Sequence, residues 1–329
     1  MTIVLPALPL AAALAQVRQV AGLPRSVRLV RVSPGGLRNT PPQTRVWSSM
    51  RVVLIASAPP PALGLSSSLA DVGHELAALI AFRGPEGRYG YGYPSALHAA
   101  APDGDLLFVR SGGRLSPLLQ AYDPDVALCA SFPARIPDDA LAAPRHGILN
   151  VHPGLLPRYR GPNPLGWAVR NGDPELGVTV HRMTSELDAG PIYAQGALPI
   201  RDDEDPALDG AERFQALANR LVSEALARVM AGDPGDPQDD ADASYAGLFE
   251  PEYVEVDWSN DARFIHNQTR AWKLSPPVGG RRGPLAELDG RRARLLRTRL
   301  DGERGGTRVD CGDRPLWVLE SEPVAALVA

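Results

Sequence analysis

GILNVHPGLLPRYR, residues Gly147–Arg160, is a short apolar run that stops at an abrupt turn. The run ends in Asn150 and His152, which stand two residues apart, and a Pro-Gly pair and a second proline follow. A run of this length bounded by turn residues is typical of a buried strand. Side chains alternate along a strand, so Asn150 and His152 are expected on the same face. The stretch therefore predicts a strand that brings an amide and an imidazole together at its end.

Strand and helix patterns alternate on both sides of this stretch. Short apolar runs predict strands at 51–56, 77–83, 105–110, 124–131, 146–152, 176–183 and 191–200. Helical patterns lie between or after them at 65–78, 95–100, 115–122, 137–144, 163–172 and 210–232. We expect a serine cap on the helix at 65–78, one solvent-facing side on the strand at 176–183, and a helix C-cap at Gly232. The alternation indicates an α/β fold with a Rossmann-like, mostly parallel sheet.

The two ends of the chain differ from this alternating region. Residues 1–49 show no clear period, and the first strand begins just after Met50, as at a fresh start. We expect an N-terminal extension at 1–49; the alternatives are a signal peptide, although the positive charge before its apolar part is missing, and a short packed helix. The catalytic domain is predicted at 50–235. An acidic, proline-containing linker and a small β-rich domain are predicted at 236–329.

Composition excludes several classes of protein. The net charge of −4 gives no global attraction to nucleic acid or to anionic lipid. Two cysteines, far apart, predict neither a disulfide framework nor a zinc site. No apolar run is long enough for a transmembrane helix. These features favour a reduced, cytoplasmic enzyme without a metal, and they leave the oligomeric state open.

The residues alone suggest an oxyanion site. Ligands of open parallel sheets gather at the carboxyl ends of strands, where Asn150 and His152 are expected. An amide donor and an imidazole can stabilise a developing negative charge, and Asp188 in SELDAGPI could orient the imidazole. The alternative is that His152 is structural and Asp188 an ordinary turn residue. His146 and His181 have no assigned role.

A longer segment, NVHPGLLPRYRGPNPLGWAVRNGDPELGVTVHRMTSELDAGPIYAQGALPI at 150–200, resembles the formyltransferases that use 10-formyltetrahydrofolate. These enzymes carry Asn-x-His-x-Ser/Gly-Leu-Leu-Pro-x-x-x-Gly and, after a helix and a strand, Asp-x-Gly-x-Ile. Both segments are present at the family spacing, and weaker similarity covers 51–235. The chain is identified as a member of this family, similar to its methionyl-tRNA and sugar N-formyltransferase branches.

The resemblance implies a formyltransferase fold with an OB-like C-terminal domain and a catalytic triad of Asn150, His152 and Asp188. A primary amine would attack the formyl carbon of the co-substrate 10-formyltetrahydrofolate directly. Asn150 and a protonated His152 would stabilise the oxyanion, and Asp188 would help to remove the amine proton. Folate contacts are implied for Phe132, Pro133, Arg135, Ile136, Leu155, Met183, Glu186 and Leu187. For Phe132 and Ile136, core packing is the alternative.

Branches of this family differ in the amine that receives the formyl group. The segment YAGLFEPEYVEVDWSNDARFIHNQTRAW at 245–272 resembles the C-terminal join of the methionyl-tRNA and sugar-nucleotide enzymes, which disfavours a purine-pathway enzyme. An arginine cluster could follow tRNA phosphates or could be a solvated face; it comprises Arg281, Arg282, Arg291, Arg292, Arg294, Arg297 and Arg299. Against tRNA, the segment at 83–95 lacks lysines, and His181 stands where tRNA enzymes usually have another residue. The expected acceptor is therefore initiator methionyl-tRNA or a small amine such as an amino-sugar nucleotide. A formyl-folate hydrolase and a non-catalytic folate-binding module are further alternatives.

Overall fold

The computed structural model describes residues 2–4, 28–30, 49–82, 94–205, 209–275, 283–302 and 305–324. It contains a mostly parallel seven-stranded sheet with helices and a separate four-stranded antiparallel sheet. The strands of the larger sheet lie in the order Asp105–Val109, Glu75–Phe82, Arg51–Ala56, Val126–Ala130, Ile148–His152, Glu175–Arg182 and Ile192–Pro199. The predicted α/β fold with a small β-rich C-terminal part is confirmed. The chain divides into two compact units, Met1–Leu149 and Asn150–Ala329. The domain boundaries predicted after residues 49 and 235 remain predictions.

The strands of the first unit are parallel, apolar and short. Strands β1 (Thr2–Val4) and β2 (Arg28–Val30) pair in parallel. The larger set runs in parallel in the order β5-β4-β3-β6, and its members are β3 (Arg51–Ala56), β4 (Glu75–Phe82), β5 (Asp105–Val109) and β6 (Val126–Ala130). Every residue of β6 and all but the first of β3 are buried, which explains their unbroken apolar runs.

Helices of the first unit confirm the predicted alternation, with one error of position. They are α1 (Pro59–Asp71), α2 (Pro94–Ala99), α3 (Leu115–Tyr122) and α4 (Asp138–Leu141), with a 3-10 turn at Gly112–Arg114 before α3. The helix predicted at 65–78 with a serine cap was wrong at both ends. Prolines occupy its first turn after the N-cap Ala58, and Gly73, with a φ of 77°, follows its end. Proline pre-sets the helical φ, so the start lies earlier than the apolar periodicity suggested.

The first half of the second unit contains most of the stretch Gly147–Arg160 with which the sequence analysis began. Strand β7 (Ile148–His152) begins in the first unit, and α5 (Pro164–Arg170), β8 (Glu175–Arg182), β9 (Ile192–Pro199) and α6 (Ala211–Met230) follow. Strands β8 and β9 are antiparallel. The prediction of a solvent-facing side on β8 was wrong, because every residue from Leu176 to His181 is buried. The C-cap predicted at Gly232 was wrong by one residue, because the C-cap is Ala231. Gly232, with a φ of 76°, is the left-handed residue just beyond it.

The second half of this unit is a helix packed on a small sheet. After 3-10 turns at Asp240–Asp242 and Pro251–Val254 comes α7 (Ala262–Leu274). The sheet has the order β10-β11-β13-β12, and its strands are β10 (Leu285–Leu288), β11 (Arg291–Arg299), β12 (Thr307–Asp310) and β13 (Pro315–Pro323). Ala262 and Ile265 of α7 share a buried cluster with Leu295 of β11. Among the described helices, none has the length and apolarity to cross a membrane.

Candidate functional site

Asn150 and His152 lie at the end of β7, and the side chains of both reach Asp188. The amide Nδ2 of Asn150 donates a long hydrogen bond of 3.4 Å to Oδ1 of Asp188. Nδ1 of His152 lies 3.5 Å from Oδ2 of the same carboxylate. His152 and Asp188 are buried, whereas Asn150 is half-buried. The arrangement leaves the Asn150 amide as the member of the three with the most access to a ligand.

Asp188 is held in place by a backbone amide and a side-chain amide of two other segments. It lies between β8 and β9 with a φ of 52°, a left-handed conformation that aspartate tolerates better than most residues. The amide of Gly161 donates to its Oδ2 at 2.9 Å. Nε2 of Gln238 donates to the carbonyl oxygens of Asp188 and Gly190, each at 2.8 Å. At Gly190, a Cβ atom would stand only 1.9 Å from the carbonyl oxygen of Arg182, so only glycine fits this loop.

His181 is a fourth member of the cluster. Its Nε2 lies 3.2 Å from Nδ2 of Asn150 and 3.5 Å from Oδ1 of Asp188, and its side chain is 1% exposed. The sequence alone gave His181 no role. The signal that could have found it is its place at the end of β8, because the ends of neighbouring strands supply site residues in such sheets.

His152 has an acceptor at each ring nitrogen. Nδ1 faces Asp188, and Nε2 lies 2.9 Å from the carbonyl oxygen of Tyr159. Burial lowers the pKa of His152, and the charge of His181 adds to this effect, while the carboxylate of Asp188 opposes it. The resting ring is therefore neutral at neutral pH, and the protonated His152 that the resemblance implies for the oxyanion remains a prediction.

Asp188 remains ionised at neutral pH. Burial alone would raise the pKa of this carboxyl group, but the net shift is downward. The hydrogen bond to His181 and the backbone amide of Gly161 stabilise the charged form. The cluster thus contains a buried carboxylate that can accept a proton and that is surrounded by donors.

The loop after β7 is fixed to β8 and β9 by polar side chains. Thr179 accepts from the amide of Leu156 at 3.2 Å and donates to the carbonyl of Gly154 at 2.6 Å. Nε2 of Gln195 donates to the carbonyl oxygen of Leu156 at 2.8 Å. The Leu156–Pro157 peptide is cis. These bonds hold the turn that follows His152 in one conformation.

The residues expected to contact folate fall in both units. In the first unit, Phe132 is half-buried with its ring 5.7 Å from that of Phe82, and Ile136 is buried, while Pro133 and Arg135 are exposed. In the second unit, Leu155 packs over Gly177, Met183 is half-buried, and Glu186 and Leu187 are exposed. Their part in binding folate remains a prediction. Burial of Ile136 favours its alternative role in core packing.

The arginines of β11 are largely neutralised within the described part of the small sheet. Arg292 pairs with Glu255 at 2.6 Å, Arg294 with Glu322 at 2.9 Å, and Arg299 with Asp301 at 2.8 Å. Arg281, Arg282 and the lysine-free segment at 83–93 lie outside the described residues. The described cluster therefore presents fewer free charges than its sequence suggests. His, Cys, Asp and Glu side chains form no metal-binding group in the part of the chain that the structure describes.

Known proteins resemble this chain in sequence. The family described as formyl transferase matches residues 113–226. A methionyl-tRNA formyltransferase of Ruegeria pomeroyi is 34% identical over 78% of this chain and 84% of its own. Another, of Geobacter sulfurreducens, is 31% identical over 72% of this chain and 77% of its own.

A solved structure shares the fold. HypX from Aquifex aeolicus, crystallised with tetrahydrofolic acid, has a TM-score of 0.60 at 20% identity, and covers 84% of this chain and 44% of its own. At that identity the likeness concerns the fold alone. The two sequence relatives are more than 30% identical to this chain over most of their length, and they therefore assign it to a family. The chain belongs to the formyl transferase family and is a 10-formyltetrahydrofolate-dependent formyltransferase of the kind that resembles methionyl-tRNA formyltransferases.

Proposed function

We propose that the Asn150–His152–Asp188 cluster transfers the formyl group of 10-formyltetrahydrofolate to the α-amino group of methionyl-tRNA. The observation that carries this proposal is a buried, ionised carboxylate, Asp188, in contact with the Asn150 amide and two imidazoles. The names of the sequence relatives support the choice of acceptor. The proposal places the protein in the cytoplasm, where initiator tRNA and reduced folates occur together.

The reaction needs no nucleophilic side chain. The amine nitrogen forms a bond to the formyl carbon, and the carbonyl oxygen becomes an oxyanion. Nδ2 of Asn150 donates to that oxygen, which preorganises charge stabilisation in a half-buried site. The bond from the formyl carbon to N10 then breaks, and N10 takes a proton to leave as tetrahydrofolate. The amine must lose one proton for the formamide product to be neutral.

Asp188 is the proposed acceptor of that proton, directly or through water. Its lowered pKa keeps it ionised, and the Gly161 amide and His181 hold its oxygens in fixed directions. His152, neutral at rest, can share the proton because its Nδ1 faces the same carboxylate. The pair can then return the proton to N10 of the leaving folate.

A small amine is the second candidate acceptor, and two observations favour it. Ion pairs neutralise Arg292, Arg294 and Arg299, which would otherwise bind phosphates of a large nucleic acid. Two exposed side chains with apolar surface also lie beside the Asp188 carboxylate. Leu187 precedes Asp188 in the chain, and Tyr245 packs against Gly161, whose amide donates a hydrogen bond to Asp188. A ring on a compact acceptor could stack on Tyr245.

An acceptor screen tests the proposal. Purified protein and 10-formyltetrahydrofolate are incubated with charged initiator tRNA, with amino-sugar nucleotides, or without acceptor, and tetrahydrofolate and formylated product are both measured. Formyl-methionyl-tRNA is the expected product. A formylated small amine instead would move the assignment to the second candidate. Folate release without acceptor would indicate a hydrolase, and an absence of release under every condition would leave a binding module.

A further inference from the structure

Residues 236–246, called here the connecting segment, bind both of the loops that carry the site. At its start, Asp236 exchanges two backbone hydrogen bonds, of 2.7 and 2.8 Å, with Ile192, the first residue of β9. Near its end, the carbonyl oxygen of Ser244 accepts from the amide of Arg160 at 2.8 Å. The connecting segment therefore joins the start of β9 to the turn that follows β7.

Each of these two loops contains a non-glycine residue with a positive φ. Tyr159 has a φ of 61° and Asp188 one of 52°, in the left-handed region where a Cβ atom is crowded. Such a conformation persists only when surrounding contacts impose it. The connecting segment supplies one contact to each residue. Oγ of Ser244 accepts from the amide of Tyr159 at 2.9 Å, and Nε2 of Gln238 donates to the carbonyl oxygen of Asp188 at 2.8 Å.

The side-chain amide of Gln238 is fully bonded within the protein. Its Oε1 accepts from Nε and Nη2 of Arg160 at 3.2 and 2.8 Å. Its Nε2 donates to the carbonyl oxygens of Asp188 and Gly190, each at 2.8 Å. A guanidinium group can only donate and a carbonyl oxygen can only accept, so a flipped amide would lose all four contacts. The contacts therefore fix both the position and the orientation of this side chain.

Asp188 is held at its main chain and at its carboxylate by the same turn. Arg160 orients Gln238, which holds the carbonyl group of Asp188, and the amide of the next residue, Gly161, donates to Oδ2 of Asp188 at 2.9 Å. Nη2 of Arg160 also pairs with Asp240 of the connecting segment at 2.7 Å. The direction of the carboxylate thus depends on contacts at both ends of the residue.

We propose that Gln238 is a positioning residue that holds the loop of Asp188 against the turn after β7 and so directs the carboxylate towards the reacting amine. Its two amide hydrogens and its carbonyl oxygen are all bonded to protein groups, so it acts through Asp188 and not on a substrate. The kinetic part of this inference rests on the proposed function, whereas the positioning of the loop does not.

Hydrogen exchange tests the positioning without an assay of activity. Gln238→Glu keeps the length of the side chain and an acceptor for Arg160, and it removes both donors. The amides of Gly161 and Ile192 donate across the contacts that hold the loop, and mass spectrometry of peptides that contain them reports their exchange. Exchange should be roughly tenfold faster than in wild type, the equivalent of about one hydrogen bond. Wild-type exchange in a folded Gln238→Glu protein would overturn the proposal.

Gln215→Glu is the matched control for this substitution. Gln215 is half-buried, as Gln238 is, and its amide donates to Oδ1 of Asn219 within α6 at 2.7 Å. The variant should keep wild-type exchange at the two amides and the wild-type kcat. Equal acceleration of exchange in both variants would overturn the proposal, because the effect would then follow from any such charge change.

A double-mutant cycle tests whether Gln238 acts through Asp188. Gln238→Glu alone should lower kcat roughly tenfold or more with little change in either KM, because misplacement of a reacting group slows the chemical step. In an Asp188→Asn background, the same substitution should lower kcat by less than about twofold, since the group that it positions is already lost. A full tenfold loss in both backgrounds would overturn the proposal. Faster exchange with an unchanged kcat would support the positioning and contradict the proposed role of Asp188.

Arg160→Met covers the case in which Gln238→Glu does not fold. It leaves Gln238 in place and removes the two donors that orient its amide. Exchange at Ile192 should accelerate and kcat should fall, each by a smaller factor than in Gln238→Glu. Wild-type exchange and wild-type kcat in a folded Arg160→Met protein would show that the contacts of Gln238 do not position Asp188.

Discussion

The amide of Gly161 donates a hydrogen bond of 2.9 Å to the carboxylate of Asp188, although the two residues are 27 positions apart. Gly161 lies just beyond the turn that follows β7, and Asp188 lies between β8 and β9. The bond joins the segment that presents His152 to the segment that presents its carboxylate partner. It also stabilises the ionised form of Asp188, the proposed acceptor of the amine proton.

Gly161→Ala should damage both stability and turnover. Gly161 has a φ of 116°, and an added Cβ would lie 2.7 Å from the ring of Tyr245 and 2.9 Å from the carbonyl oxygen of Ala246. We expect a loss of about 1–3 kcal/mol in the free energy of unfolding and a fall in kcat, because the segment must move away from Asp188. Urea unfolding and steady-state kinetics measure the two effects.

Gly232→Ala is the control for this prediction. Gly232 also has a positive φ, of 76°, but nothing lies within 4 Å of an added Cβ. It follows α6 and does not contact the cluster. Its replacement should lower stability while kcat stays at the wild-type value. Equal kcat in both variants would contradict a role for the Gly161 amide in catalysis.

His181→Leu should move the acid limb of the pH–rate profile. The hydrogen bond from His181 is the largest of the effects that lower the pKa of Asp188, so its loss raises that pKa. Asp188 would then be protonated at higher pH, and kcat would begin to fall at a higher pH on acidification. His181→Gln, which keeps a donor, should show a smaller displacement. An unmoved acid limb in His181→Leu would exclude Asp188 as the titrating base.

Buried His266 should make the protein less stable in mild acid. Burial, with the charge of Arg270, lowers its pKa to about 3, whereas an unfolded histidine titrates near 6.5. As the pH falls from about 6.5 towards 3, the unfolded chain binds a proton that the folded chain does not, so stability decreases. The slope is up to about 1.4 kcal/mol per pH unit for this group.

Urea unfolding between pH 7 and pH 4.5 checks the contribution of His266. His266→Gln should reduce the pH slope of the free energy of unfolding relative to wild type, even if its stability at pH 7 is lower. The exposed His98→Gln serves as the control and should leave the slope unchanged. Parallel pH curves for wild type and His266→Gln would contradict the assignment.

Tyr245→Ala should raise KM for the acceptor and leave KM for the formyl donor unchanged. The ring of Tyr245 is 65% exposed and packs against Gly161, whose amide donates to Asp188, the proposed acceptor of the amine proton. Stacking of a base on such a ring is worth about 1–3 kcal/mol, so the acceptor KM should rise roughly tenfold or more. Tyr245→Phe, which keeps the ring, should behave as wild type. An unchanged acceptor KM in Tyr245→Ala would place the acceptor elsewhere.

Local patterns predicted the fold well because its strands are buried and parallel. The apolar runs of β3 and β6 and the Asn-x-His spacing at the end of β7 were readable from sequence alone. The start of α1 was not, because the three prolines of its first turn outweighed the apolar periodicity. The solvent-facing side expected on β8 was absent, since tertiary packing covers both of its faces.

The site was predicted only in part for a different reason. Asn150, His152 and Asp188 stand in short motifs, so their pairing could be inferred from the family resemblance. His181 and Tyr159 enter the cluster through contacts between segments that no local pattern encodes. The ion pairs that neutralise Arg292 and Arg294 likewise join residues that are distant in sequence, so the arginine cluster looked more basic than it is.

Transfer of a labelled formyl group tests the proposed role of the cluster most directly. The proteins compared are wild type, Asn150→Ala, His152→Ala and Asp188→Asn. The formyl group of 10-formyltetrahydrofolate is labelled, and its appearance on methionyl-tRNA is followed under single-turnover conditions. Glu224→Gln, at an exposed ion pair on α6, is the control and should match wild type. Each site variant should fold and lose about 10²–10³ in rate. Near-wild-type transfer by folded Asp188→Asn would contradict the account.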